Sequence, residues 1–360
     1  MKQTTLIAVL MFMCSLSLQG QHTRKPDRNP PAPKHAQQPD HQENDDEDKR
    51  DPLRPDEIHH PVLWHDPGRI SSLDLYLGQG GKQGQPVPPF QFEKENRRQS
   101  TPKFEIRDAK DEKWKVKLGS EARPEVVTTR LLWAVGYFVE DEYLLPTADV
   151  SGLHLRRGKK FTRGEEVRDA QFSRKPDGEK KIAIWKWKKN VFTGTRELNG
   201  LRVMMALLNS WDLKDENNSV YEDKKTGGQL FLVSDTGSSL GRNGLHFINT
   251  GSKDNARAFA KSKFIEKVTP TEVSFGTPKP SPSLLLETLG FGLKQFLRRN
   301  SMLWIGRHIP RQDAHWIGGL LGQLTHQQIV DAFRAGGYPP RDIDEFVPVM
   351  ERRIRELQGL

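Results

Sequence analysis

Residues 21 to about 56 cannot contribute to a folded core. The run QHTRKPDRNPPAPKHAQQPDHQENDDEDKRDPLRPDE is proline-rich and charged, with almost no apolar side chains to offset the entropy lost on ordering. It reads as a solvated linker over 21–60, and the acidic block Glu43–Asp48 belongs to it. Whatever folds must therefore be built from the remainder of the 360 residues, which is why a hydrophobic share of only 34% is still compatible with a sizeable core. The histidines at 22, 35, 41, 59, 60 and 65 lack a fixed scaffold that would make them metal ligands.

Ahead of the linker, Lys2 and the apolar stretch Leu6–Leu18 read as a secretory signal over residues 1–20. An exported, periplasmic or extracellular protein is the expectation. Beyond this segment, should it stay uncleaved, no apolar run reaches the roughly 18 residues of a membrane span. The single cysteine, Cys14, lies inside the signal and excludes a disulfide framework, a cysteine zinc site and an iron–sulfur cluster.

Order is expected from about Pro61. The segment GQGGKQG has the glycines of a phosphate loop but matches neither known spacing, so a flexible surface loop is the better reading. PKFEIRD and KWKVKLG alternate with period two around the turn AKDE and predict a β-hairpin, with Trp114, Val116 and Leu118 on one face and Lys115 and Lys117 on the other. Pro124 and Glu125 then open a helix whose apolar residues Val127, Leu131, Leu132 and Val135 recur at helical spacing, and Gly136 closes it. A strand at EYLLP follows. IAIWKWKKN suggests a central strand leading to a hinge.

An apolar helix, Leu198–Leu208, ends in the polar loop WDLKDENN. The strand SVY, a turn and the apolar strand LFLV then deliver Ser234-Asp235-Thr236-Gly237. Asp212 and Asp235 thus stand at the ends of buried elements joined by one hairpin. Towards the C-terminus, residues 283–305 are amphipathic, His308, His315 and Trp316 mark a turn, and two helices follow, broken at Gly336-Gly337 and Pro339-Pro340.

WDLKDENN resembles the catalytic loop of the protein-kinase-like superfamily, and the strand running into Asp235-Thr236-Gly237 stands where that superfamily has its metal-binding motif. KWKVKLG with the helix after it is similar to the lysine strand and the glutamate-bearing helix. The order of parts matches over roughly residues 90–250 and is closer to atypical members, such as HipA-type, secreted or phosphoinositide kinases. The resemblance implies an α+β, two-lobed fold, with a sheet-rich N-lobe over 61–150 and a helical C-lobe over 151–360 that includes a C-terminal extension.

It also implies transfer of phosphate from ATP or another nucleotide to a hydroxyl, with Mg²⁺. Lys117 would clamp the α/β-phosphates and Glu125 would hold Lys117. Asp212 would take the acceptor proton, Lys214 would neutralise the moving phosphoryl group, and Asn217 and Asp235 would be the oxygen ligands of Mg²⁺. No glycine-rich loop precedes the hairpin; KENRRQSTPK takes its place, and Arg98, Ser100, Thr101 and Lys103 could contact phosphate instead. Lys115 shares a face with Lys117 and competes for the lysine role.

Two other readings stay open. A non-catalytic, pseudokinase-like binding or scaffold protein would use the same fold and a basic face. An aspartic protease would use D-T-G-S, though the chain carries this motif once and surrounds it with helices. The tract with Trp185 and Trp187 among lysines fits a solvated strand face better than a nucleic-acid surface. The acceptor, whether protein, glycan, lipid or small molecule, is not legible.

Overall fold

The computed structural model describes residues 50–97, 101–175, 179–210, 212–241, 253–276 and 302–360. All belong to one contact-dense unit, Asp46–Leu360; the other unit, Met1–Asp45, lies outside the described residues. So do the signal, most of the linker, Arg98, Ser100 and the amphipathic run up to residue 301.

Structure begins earlier than Pro61. Pro52 bridges Ile184, Leu53 packs on the larger core, and Pro55–Glu57 makes a 3-10 turn with proline where no N–H is needed. The amide of Gln229 fixes this stretch, donating to the Glu57 carbonyl (2.9 Å) and accepting from the His59 N–H (2.9 Å). Strand β1, Pro61–Val62, follows. The glycine-rich segment is not a loose loop but a set of tight, packed turns. Gly78 lies buried against the Arg130 guanidinium, and a side chain at Gly84 would meet the backbone of Gly80.

The expected hairpin forms as β3 (Lys103–Arg107) and β4 (Lys113–Lys117), preceded by β2 (Phe90–Asn96). Its turn is held by Asp108, whose carboxylate accepts N–H groups from Val87, Lys110 and Glu112 and the Trp114 indole. Burial works against ionising Asp108, but these donors outweigh it and hold the carboxyl below its usual range. Helix α1 (Ala122–Ala134) is followed by β5 (Asp141–Ser151), β6 (Thr162–Arg163) and β7 (Glu166–Arg174).

These strands form one sheet in the order β4-β3-β2-β5-β7-β6, and β4 pairs with β7 as well, so five of them close into a ring without free edges. Phe90, Phe104, Ile106, Trp114, Val116 and Phe172 fill its interior as a core of their own. The sheet does not end at residue 150. β7 pairs with β5 from Asp141↔Arg174 to Asp149↔Glu166, so the sheet-rich part runs to Arg174.

β8 (Glu179–Ala183) is not central. It forms the edge of a second sheet, β1-β10-β9-β8, after which the chain leaves the sheet with Trp185 and Trp187 buried. Helix α2 (Arg196–Leu207) is capped by the Thr195 hydroxyl and leads to β9 (Asn218–Asp223) and β10 (Gln229–Val233). Then come α3 (Ala256–Lys261), the small sheet of β11 (Ile265–Val268), β12 (Glu272–Phe275) and β13 (Ile309–Pro310), and helices α4 (Arg311–Leu321), α5 (His326–Ala335) and α6 (Pro340–Gln358). His315 and Trp316 lie within α4 rather than in a turn, because Ala314, Ile317 and Leu321 give it a buried stripe. Among the described residues no helix is long and apolar enough to cross a membrane.

Gly136 ends α1 at φ +92°, a conformation that L side chains rarely adopt, and a β-carbon there would run into the Trp64 indole nitrogen at 2.6 Å. Gly136→Ala is therefore expected to cost about 2 kcal/mol or more, from left-handed strain plus the clash, read as a lowered urea midpoint at unchanged m-value.

Candidate functional site

The alternation of β4 that buries Trp114 and Val116 sends Lys115 and Lys117 to the opposite face of the sheet. Register extends that face into two cross-strand rows: Lys103, Lys117 and Gln171, then Glu105, Lys115 and Ser173. All six line a cavity of about 100 Å³, whose other wall carries Glu125, Asn217, Ser219, Ser234 and Asp235.

Helix α1 delivers Glu125 in its first turn, where the helix dipole favours a carboxylate. Lys117 makes a buried ion pair with Glu125, and its Nζ also donates to Asp235 Oδ1 at 2.8 Å. Of the two lysines on the strand, Lys117 is the one that joins both acids. Lys103 reaches Asp235 Oδ2 at 3.5 Å. Thr101 turns the other way and donates to Glu121 at 2.7 Å, because Glu121 at the head of α1 also gathers Lys253 and Ser238. It is therefore not among the residues facing this cavity.

Asp235 is carried by the apolar strand β10 into a turn with its own backbone at φ +54°. The turn is fastened on three sides. The Ser234 N–H donates to the Asn217 carbonyl at 2.7 Å, the Thr236 hydroxyl is bonded to that of Thr128 in α1, and the Leu240 N–H donates to Leu208 at the end of α2. A side chain at Gly237 would meet the Glu121 carbonyl at 2.6 Å, so glycine is required by that close approach.

The loop after α2 is held just as firmly. Asn209, at φ +52°, donates to the Gly241 carbonyl at 2.7 Å, and Leu213 is buried as a plug. Asn217 Nδ2 donates to the Asp212 carbonyl at 2.8 Å, which leaves its carbonyl oxygen as the acceptor end of the amide. Asp212 Oδ2 pairs with Lys214 Nζ at 2.9 Å. Asp212 itself stands beside the cavity, joined to it through Asn217; Lys214 lines a neighbouring cavity.

The electrostatics follow from burial. It works against the charge on Lys117, but Asp235, Glu125 and Glu121 outweigh it and hold the ammonium well above the ordinary lysine range. Glu125 is pushed up by burial to about 7, against the pull of Lys117. Burial opposes ionisation of Asp235 too, yet Lys117 and then Lys103 keep its carboxyl well below the usual range. Burial and the nearby Lys117 lower Lys103, which makes it the more easily deprotonated of the two cations.

The structure thus brings Lys103, Lys117, Glu125, Asn217 and Asp235 to one cavity and sets Asp212 and Lys214 at its side. Sequence reasoning missed Gln171 and Ser173, although the alternation in DAQFSR could have placed them on one strand face, and it missed the Glu121–Lys253 pair. His308 is exposed and bonded to Glu272 at 2.8 Å, away from these groups. The neighbours of Asp235 are ammonium groups, whereas an aspartic-protease centre needs two carboxyls sharing a proton.

No family model and no curated protein matches the sequence. Among solved structures, the chain is similar to a proinflammatory kinase of Helicobacter pylori, CtkA, at 10% identity and a TM-score of 0.32, over 75% of this chain and 99% of that one. What is established is a mixed α+β protein in which a buried Lys117–Glu125 pair meets the partly exposed Asp235.

Proposed function

We propose that this chain is an exported phosphotransferase of the kinase-like type, with two lobes whose contacts place the Lys117 cavity between them, moving phosphate from a nucleotide such as ATP to a hydroxyl. The observation that supports it is Lys117 bridging Glu125, eight residues on in sequence, and Asp235, 118 residues on. A lysine held by a helix carboxylate and aimed at a second acid is what an anionic phosphate chain requires, because phosphoryl transfer depends on positioning and charge neutralisation.

The donor set fits Mg²⁺. Asp235 and the carbonyl end of Asn217 are oxygen donors, and among the described residues no group of three or more His, Cys, Asp and Glu forms a closed cage. Such an ion would take its remaining ligands from phosphate and water, and it would supply charge neutralisation of the phosphates. Lys117 would hold the phosphate oxygens while Glu125 fixes its position. Asp212 would orient the acceptor hydroxyl and receive its proton at Oδ2, and Lys214, already bonded there, would balance charge on the transferred group. A cavity of about 100 Å³ admits phosphate rather than a whole nucleotide, so binding would open it and move Lys103 off Asp235.

Thermal unfolding of the purified chain with ATP, with Mg²⁺ and with both tests this reading. Ligand at a hundredfold excess over Kd stabilises by about 2.7 kcal/mol. The expected result is a shift that needs both and disappears in Asp235→Ala. The absence of any shift at millimolar nucleotide sinks the phosphotransferase reading and leaves a non-catalytic binding protein.

A further inference from the structure

A second cavity, of about 560 Å³, adjoins the first through Glu216, which lines both. Its lining includes the apolar Leu53, Ile58, Val191 and Met302, the carboxylates of Asp215 and Glu216, and a larger cationic set of Lys186, Lys188, Lys189 and Lys214, the last bonded to Asp212.

The segment that carries Lys186, Lys188 and Lys189 is built on a rigid support. Trp185 and Trp187 are buried beneath it with ring centroids 5.0 Å apart, and the Trp185 indole donates to the Leu232 carbonyl at 2.9 Å. The Trp187 N–H donates to Asp215 Oδ1 at 3.1 Å, which commits that carboxylate. Asn190 closes the bend by donating to the carbonyls of Lys186 and Trp187, both at 3.0 Å, and Lys189 sits at φ +60°. The three lysine side chains are exposed, and none is ion-paired among the described residues; Lys188 lies over the Trp304 ring at 5.7 Å.

We infer that this cavity binds an acidic polypeptide segment, and, resting on the phosphotransferase reading above, that the segment carries the hydroxyl offered to Asp212. Exposed lysines spread along a bend suit carboxylates spread along a chain. A single phosphate headgroup would call for cations converging on one point, and among the described residues no arginine fork lines the cavity. The apolar part of the lining suits a polymer that alternates acidic with apolar side chains, as a phosphorylated sugar would not.

The test is fluorescence anisotropy of the full chain with a labelled peptide of alternating glutamate and leucine around one serine. Controls are a peptide with lysine in place of glutamate and vesicles containing phosphatidylserine. The acidic peptide should bind, and binding should weaken from about 50 to about 300 mM salt. The triple variant Lys186→Glu, Lys188→Glu, Lys189→Glu should lose at least about tenfold in affinity, with an unchanged melting temperature showing that it folds. Asp235→Ala should bind the peptide as the wild type does, so loss of nucleotide binding and loss of peptide binding are separable failures. Equal affinity of the triple variant, no binding of the acidic peptide, or binding to vesicles alone would each overturn the inference.

Discussion

Lys117→Met is expected to cost about 3 kcal/mol of folding stability near pH 8, because it leaves Glu125 buried without its cation and the partly exposed Asp235 with Lys103 alone. The loss should shrink on acidification. Glu125 has its carboxyl raised in the folded protein to about 7, from an ordinary value of 4.5. A raised acid contributes its full stabilisation below the unfolded value and loses it as pH rises through the folded one. Removing Lys117 takes away the charge that restrains this rise, so the gap between variant and wild type should widen from about pH 4.5 upward. Urea unfolding of both proteins at pH 5 and pH 8 measures it. An equal gap at both pH values would mean that Glu125 does not feel Lys117. The double variant Lys117→Met, Glu125→Gln should recover part of the loss, since it buries one fewer unpaired acid.

The second large effect lies far from the cavity. Arg353, on α6, is 1% exposed, and its guanidinium donates to the carbonyls of Leu207 at 2.6 Å and Phe259 at 2.9 Å and to the Ser262 hydroxyl at 2.6 Å, stacked 3.8 Å over the Phe259 ring. Burial, then the neighbouring Arg352, pulls it down to about 9, which leaves it charged at neutral pH. It thus satisfies C-terminal carbonyls of α2 and α3 at once. Arg353→Leu should cost about 3 kcal/mol or more through the acceptors it strands. Arg353→Lys should restore only part, because an ammonium cannot present the planar fork. Chemical denaturation of the two variants reads the difference. Since α2 leads into Asp212, the leucine variant should also weaken any nucleotide-induced thermal shift, whereas Gly136→Ala should leave that shift in place.

Much of the local architecture was legible. The period-two runs around Asp108 gave the hairpin, Pro124 and Gly136 bracketed α1, and the apolar runs at 198–208 and 230–233 gave α2 and β10. Each of these signals lies within a dozen residues, in the side-chain periodicity of one element. The ends of those elements put Glu125, Asp212, Asn217 and Asp235 at junctions, which is why they could be named as candidates. What went astray was whatever depends on partners. IAIWKWKKN reads as a central strand because lysines alternate with apolar residues in it, yet only its first two residues belong to β8, which lies at an edge; the sheet-rich part runs to Arg174 because β7 finds β5 and β4; and the turns near Gly78 are packed because Arg130 comes to lie against them.

The sequence alone determined which segments could have an interior, which side of β4 carried its lysines, and which acids stood at element ends, because hydrophobic periodicity and capping act over one or two turns of chain. Only the tertiary structure decided that Lys117 rather than Lys115 meets Glu125 and Asp235, that Gln171 and Ser173 share their face, and that Thr101 turns to Glu121. Those pairings hang on the registers of β3, β4 and β7 and on the turn after β10 docking on α1. A register shift of one residue would reverse every side chain on a strand. The burial that raises Glu125, and the two lysines that hold Asp235 down against that same burial, come together only when those surfaces close.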